Sequence, residues 1–204
     1  GRDNKPIASI DKLAAQMSLS ELIAFRRFVF DYAEVVGLKA RLEKADPTSP
    51  LNIQFIIDAL KSKDKNKPPT PYDIELKAVA IRKSAVTFDI ASEPHRPAGT
   101  FDPNHISISQ LRTDAILPKI KNDTIVVDVT RLALHEISGF ELNDLAANVE
   151  VFPDMLSVKN LRIAMPGSLL VPQDITVRYK SLKTIANDIR STPLRLAVAN
   201  SYVT

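Results

Sequence analysis

Between Ile74 and Ile90 the chain alternates apolar and polar residues, but the alternation changes phase twice. Apolar residues stand at Ile74 and Leu76, then at Val79 and Ile81, then at Val86, Phe88 and Ile90. Alternation with period two places every second side chain on one face of a strand. A one-residue slip would send the buried set to the solvent face. A strand can tolerate such slips only if its backbone compensates each of them.

The slip recurs along the chain. The template apolar–x–apolar–x–x–apolar–x–apolar fits Ile74, Leu76, Val79 and Ile81, then Val127, Val129, Leu132 and Leu134. It also fits Phe140, Leu142, Leu145 and Ala147, then Leu156, Val158, Leu161 and Ile163. Ile106, Ile108 and Leu111 follow it until Thr113 takes the last place, and Ala8, Ile10, Leu13 and Ala15 follow it with smaller residues. On a helix, at about 100° per residue, the four positions fall near 0°, 200°, 140° and 340° and define no face. A strand that bulges between the second and third positions keeps all four on one side. The intervening pairs, Lys77-Ala78, Thr130-Arg131, Asn143-Asp144 and Lys159-Asn160, lack the glycine that tight hairpins favour. A bulge is therefore expected there rather than a reversal. Reversals are expected just afterwards, at Ser84-Ala85, Ser138-Gly139 and Pro166-Gly167, with Gly37 in a similar place. The expected fold is mainly β, with two or three short helices. Its sheet is elongated, strongly curved and antiparallel, an open groove or half-barrel folded like a taco.

Two helices are expected from capping signals. Ser18 and Glu21 have capping-box spacing for a helix through about Phe25. Ser49 is placed to cap, and Pro50 to open, a helix over 50–62. A third, over 181–191, would put Leu182, Ile185 and Ile189 on one side. Much of the proline lies in connections, and "KDKNKPPTP" reads as an exposed linker. The expected organisation is an N-terminal strand and helix part (1–62), the linker (63–71) and a repeated bent-strand part (72–204). Because the chain opens on Gly1 and ends inside another alternating segment, it is expected to be a piece of a longer protein.

Composition narrows the function. A net charge of +3, from 27 basic and 24 acidic residues, carries no nucleic-acid signature. Eight Phe, four Tyr and no Trp leave little for stacking on bases or sugars. The absence of cysteine excludes disulfides, thiolate metal sites and cysteine nucleophiles. No run approaches the roughly 18 apolar residues of a membrane span. His95, His105 and His135 read as solvated or capping residues, with no metal site among them. Asp102 and Asn104 read as turn formers, and Glu136, Glu141 and Asp144 as a solvated rim. No nucleophile, acid–base or phosphate-loop motif occurs, so neither enzyme activity nor a cofactor is expected. What remains is the aliphatic stripe: Leu76, Val79, Ile81, Ile108, Leu111, Val129, Leu132, Leu134, Leu142, Leu145, Val158, Leu161 and Ile163. The alternation nominates these as the lining of an apolar groove.

The segment "IDKLAAQMSLSELIAFRRFVFDYAEVVGLKARLEK" resembles the strand, Leu-Ser-rich helix and strand pair near the start of AsmA-like proteins. The units "DIELKAVAIRKSAVTFDI", "FDPNHISISQLRTDAIL" and "SGFELNDLAANVEVFPDMLSVKNLRIAMPGSLL" resemble those of the TamB branch of that family. The resemblance spans about 7–204. It implies a periplasmic segment of an inner-membrane-anchored protein of Gram-negative envelopes, whose curled sheet has an apolar interior. It further implies phospholipid acyl chains as ligands, in transport between membranes, or a role in outer-membrane protein assembly. The β-barrel partner in that assembly would be met through regions outside this segment. There are no catalytic residues to carry over. The competing expectation is a structural or adhesive β-rich module with a closed core and no lipid site.

Overall fold

The structure, a computed structural model, describes residues 6–25, 27–55, 73–121, 124–179 and 201–203. Its strands are β1 (Ala8–Ser9), β2 (Lys12–Met17), β3 (Arg27–Val36), β4 (Lys39–Lys44), β5 (Asp73–Leu76), β6 (Ala78–Ile90) and β7 (His105–Lys121). They continue with β8 (Thr124–Glu136), β9 (Glu141–Val151), β10 (Met155–Met165), β11 (Ser168–Leu170), β12 (Ile175–Arg178) and β13 (Tyr202–Val203). Among the described residues all join one sheet of thirteen strands that does not close into a barrel. Its backbone is the run β6-β7-β8-β9-β10, each strand antiparallel to the next. The strands of the N-terminal part extend this sheet through β3 and β4, which both pair with β6.

The register resolves the slipping alternation. Thr113 pairs with Leu132 and Ala115 with Val129, so β8 holds one more residue than β7 between these rungs. Leu132 pairs with Leu145 and Leu134 with Leu142, which gives β9 the extra residue at Asn143-Asp144. In β10 the register shifts between Lys159 and Arg162. All three are bulges at pairs the sequence nominates. Two more fall at Arg82-Lys83 in β6 and Ser109-Gln110 in β7. Lys83, Gln110 and Asn160 carry φ of 51°, 53° and 53°, the left-handed conformation that lets a strand absorb one residue and keep its phase. The slip between Leu76 and Val79 is matched in β3, where their partners are Phe30 and Ala33.

Two expected reversals hold and two do not. Ser138-Gly139 and Pro166-Gly167 turn the chain between β8 and β9 and between β10 and β11. Ser84 instead lies in the middle of β6, fully buried. Its hydroxyl donates to the Arg82 carbonyl at 2.9 Å and accepts from the Leu38 amide at 3.1 Å, so a polar side chain is satisfied inside the sheet. Gly37 does not reverse the chain either. The chain passes through it from β3 to β4, and both run alongside β6 in the same parallel sense. The sheet is therefore mixed, not purely antiparallel. A parallel neighbour needs a crossover, and the alternation of a strand does not reveal which way its neighbour runs.

Among the described residues α1 (Leu19–Phe25), packed beside β3, is the one helix described in full, and Gln54 and Phe55 are helical inside the expected 50–62 helix. Helix α1 begins where Ser18 and Glu21 predict, but without the reciprocal box. Ser18 Oγ lies 3.0 Å from Ser20 Oγ, the Ser18 amide bonds the Val29 carbonyl, and Glu21 faces Arg27 at 3.4 Å. Ser49 does not cap either, because its hydroxyl bonds Asp46 in a turn that also engages Thr48. The rest of the expected 50–62 helix, the 63–71 linker and the 181–191 helix lie outside the described residues.

Candidate functional site

Residues paired across strands present their side chains on the same face, so the register maps the two faces directly. Leu13 pairs with Val35, Val35 with Ile81, Ile81 with Thr113 and Thr113 with Leu132. Leu132 then pairs with Leu145, Leu145 with Ile163 and Ile163 with Leu170. This row crosses the sheet at right angles to the strands, without a break. Its single polar member, Thr113, donates its hydroxyl to the Arg131 carbonyl at 2.9 Å. A parallel row of small residues runs from Ala15 through Ala33, Val79, Ala115 and Val129 to Ala147. Val127, Val149, Val158 and Ile175 form a third.

The bulges are what hold these rows on one side. Val129 and Leu132 are three residues apart and share a face, as do Leu142 and Leu145. Of the nominated lining residues, Leu142 is buried and all the others are half-buried. Among the described residues no second sheet covers them. Leu13, on the row's outer end, is 67% exposed.

The opposite face is charged. Arg82, Asp114, Arg131, Asp144 and Arg162 alternate in sign over five consecutive strands. Arg82 pairs with Asp114, and Asp144 lies 3.9 Å from Arg131 and 3.0 Å from Arg162. Lys12 and Glu34, 3.7 Å apart, continue the pattern toward the β2 edge. Of the three carboxylates expected to form a solvated rim, Asp144 joins this ladder and Glu141 sits 3.3 Å from His135. Glu136 is buried, because tertiary contacts turn it inward to accept from the amides of Ser107 and Ser138 and from the Ser138 hydroxyl. Burial pushes its carboxyl pKa up, but the bonds from Ser138, Ser107 and Ile137 outweigh that and hold it below the usual value.

The connection between β6 and β7 gathers a cluster of titratable groups. Asp89, the last but one residue of β6, pairs in register with His105, the first residue of β7. Asp102 is the turn former the sequence predicts, accepting from the Arg96 amide at 2.9 Å and the Asn104 amide at 3.0 Å. It also lies 2.9 Å from His105 Nδ1. The Arg96 amide bond is the main reason its carboxyl titrates at about 2. Its own bond to His105 raises the imidazole's pKa. His95, on the exposed part of the loop, places its ring 3.8 Å from that of His105, centroid to centroid. His105 and His95 are thus not two separate solvated residues. Reading 91–104 as a hairpin loop would have set Asp89 opposite His105, but nothing in the sequence points to the contact with His95.

No family model matches the chain, and none of the curated proteins or solved structures does either.

Proposed function

We propose that the chain is a segment of a TamB/AsmA-like periplasmic scaffold whose aliphatic face shelters phospholipid acyl chains moving between membranes. The observation that carries this reading is the continuous row from Leu13 to Leu170, apolar on seven of its eight adjacent strands and half-buried along most of its length. Seven steps of about 4.8 Å make the row roughly 34 Å long. That is close to the ~30 Å hydrocarbon core of a bilayer, which two opposed tails fill. Each methylene withdrawn from water gains about 0.8 kcal/mol, so a sixteen-carbon tail gains on the order of 10 kcal/mol when sheltered. A uniform aliphatic row offers that gain at similar strength along its length, which favours sliding over capture. Twist and repeated bulges bend a sheet, and we read the aliphatic side as the concave one, a groove. The β-barrel partner of outer-membrane assembly would meet regions outside this segment.

Native mass spectrometry of the purified chain, with lipid extraction, tests the proposal. Bound acyl lipid is expected for the wild type. Leu132→Asp and Leu145→Asp are each expected to lose it while keeping the β-sheet circular dichroism spectrum. An unliganded wild type, or variants that unfold because the charge enters a packed interior, would point instead to a structural module with a closed core.

A further inference from the structure

Asp89, His95 and His105 hold one potential ligand atom each, all within 4.8 Å of one another. We propose that they form a binding site for a divalent transition-metal ion of the zinc class, with Asp102 orienting His105. Two imidazoles and one carboxylate are the donor set zinc favours, whereas calcium and magnesium take oxygen ligands alone.

The distances support a metal more than a plain loop clasp. His105 Nε2 lies 3.6 Å from Asp89 Oδ1, too far for a hydrogen bond. Two ligand atoms on a tetrahedral ion with bonds of about 2.0–2.2 Å stand roughly 3.4 Å apart, which is nearly that spacing. The other ring nitrogen, Nδ1, is taken by Asp102 at 2.9 Å. That pairing fixes the tautomer in which Nε2 offers its lone pair, the carboxylate–histidine–metal arrangement seen around bound zinc. The His105 side chain is 7% exposed and that of Asp102 is 10% exposed, so this half of the site is built in advance. His95 supplies the remaining nitrogen from the solvent side. Three protein ligands leave one coordination position for water or a further ligand. A hairpin clasp explains the bonds of Asp102 but neither the ring of His95 against His105 nor the carboxylate facing Nε2. The site lies on the charged side of the sheet, so it stands or falls independently of the acyl-chain reading.

Zinc ion titrated against a chromogenic chelator tests the site on the intact chain, with cobalt(II) as a spectroscopic probe. One equivalent per chain is expected for the wild type and for His135→Ala. His95→Ala, at an exposed position that should not disturb folding, is expected to weaken binding at least about tenfold and to change the cobalt spectrum. Asp102→Asn is expected to weaken it about 10- to 100-fold, as loss of an orienting carboxylate does elsewhere. Circular dichroism of each variant separates lost ligands from lost fold. A wild type that binds zinc no more tightly than His95→Ala, or binding abolished by His135→Ala, would overturn the proposal.

Discussion

A β-carbon added at Gly37 would collide with Asp11 Oδ2 and lie 2.8 Å from Asp11 Cβ, on a backbone held at φ +68°. The Asp11 amide bonds the Val36 carbonyl, which keeps the two segments close. Gly37→Ala is therefore expected to lower the unfolding free energy by about 1–2 kcal/mol from the left-handed backbone alone, measured by urea denaturation. Displacement of Asp11 adds to that loss. Glu136 predicts a pH effect. Its folded pKa is depressed, so its contribution is present above the ordinary carboxylate pKa of 4.5 and fades as pH falls below it. Thermal melts from pH 6 downward are expected to show the wild type losing stability more steeply below about pH 4.5 than Glu136→Gln. Equal slopes would mean that the buried carboxylate is not coupled to folding.

At the scale of the strand, the bulge is the element that matters. Gln110 adopts φ 53° without the local side-chain bonding that makes asparagine tolerant of that region. Gln110→Gly is expected to stabilise the protein by about 0.5–1 kcal/mol, and Gln110→Val to destabilise it by about 1–2 kcal/mol. Chemical denaturation of the pair reads the difference directly. If both substitutions are neutral, β7 does not hold its extra residue in a left-handed bulge. The template made these bulges legible at Thr130-Arg131, Asn143-Asp144 and Lys159-Asn160, because aliphatic residues on both sides reported the phase. It concealed the one at Arg82-Lys83, because Ser84 occupies an apolar place and satisfies its hydroxyl within the sheet, and it marked the one at Ser109-Gln110 through Ile108 and Leu111 although Thr113 takes the last apolar place. Ser84 consequently read as a turn.

Across the whole molecule the two faces separate by chemistry, aliphatic on one side and an alternating ion ladder on the other. Exposed ion pairs contribute about 0.2–1 kcal/mol each and are screened by salt. Asp144 serves two arginines, so Asp144→Asn is expected to cost about 1 kcal/mol in dilute buffer and visibly less in molar salt. A loss unchanged by salt would assign Asp144 a packing role instead. Much of the aliphatic face was legible, since period two and its regular slips name Leu13, Ile81, Leu132, Leu145 and Ile163 of the long row, though not Leu170, Ala115, Val149 or Ile175, which join by register. The charged ladder was not: Arg82, Asp114, Arg131, Asp144 and Arg162 become neighbours only once five strands are in register.

The alternation, with its three-residue steps, was enough to determine a β-sheet with one aliphatic face, because the phase of a strand is written in consecutive residues. Strand direction and long-range contacts are not written there. The parallel seating of β3 and β4 on β6, the burial of Glu136 and the meeting of Asp89, His95 and His105 were decided by tertiary structure alone. They depend on which segments lie side by side, and local side-chain preference carries no information about a partner on another strand or across a loop.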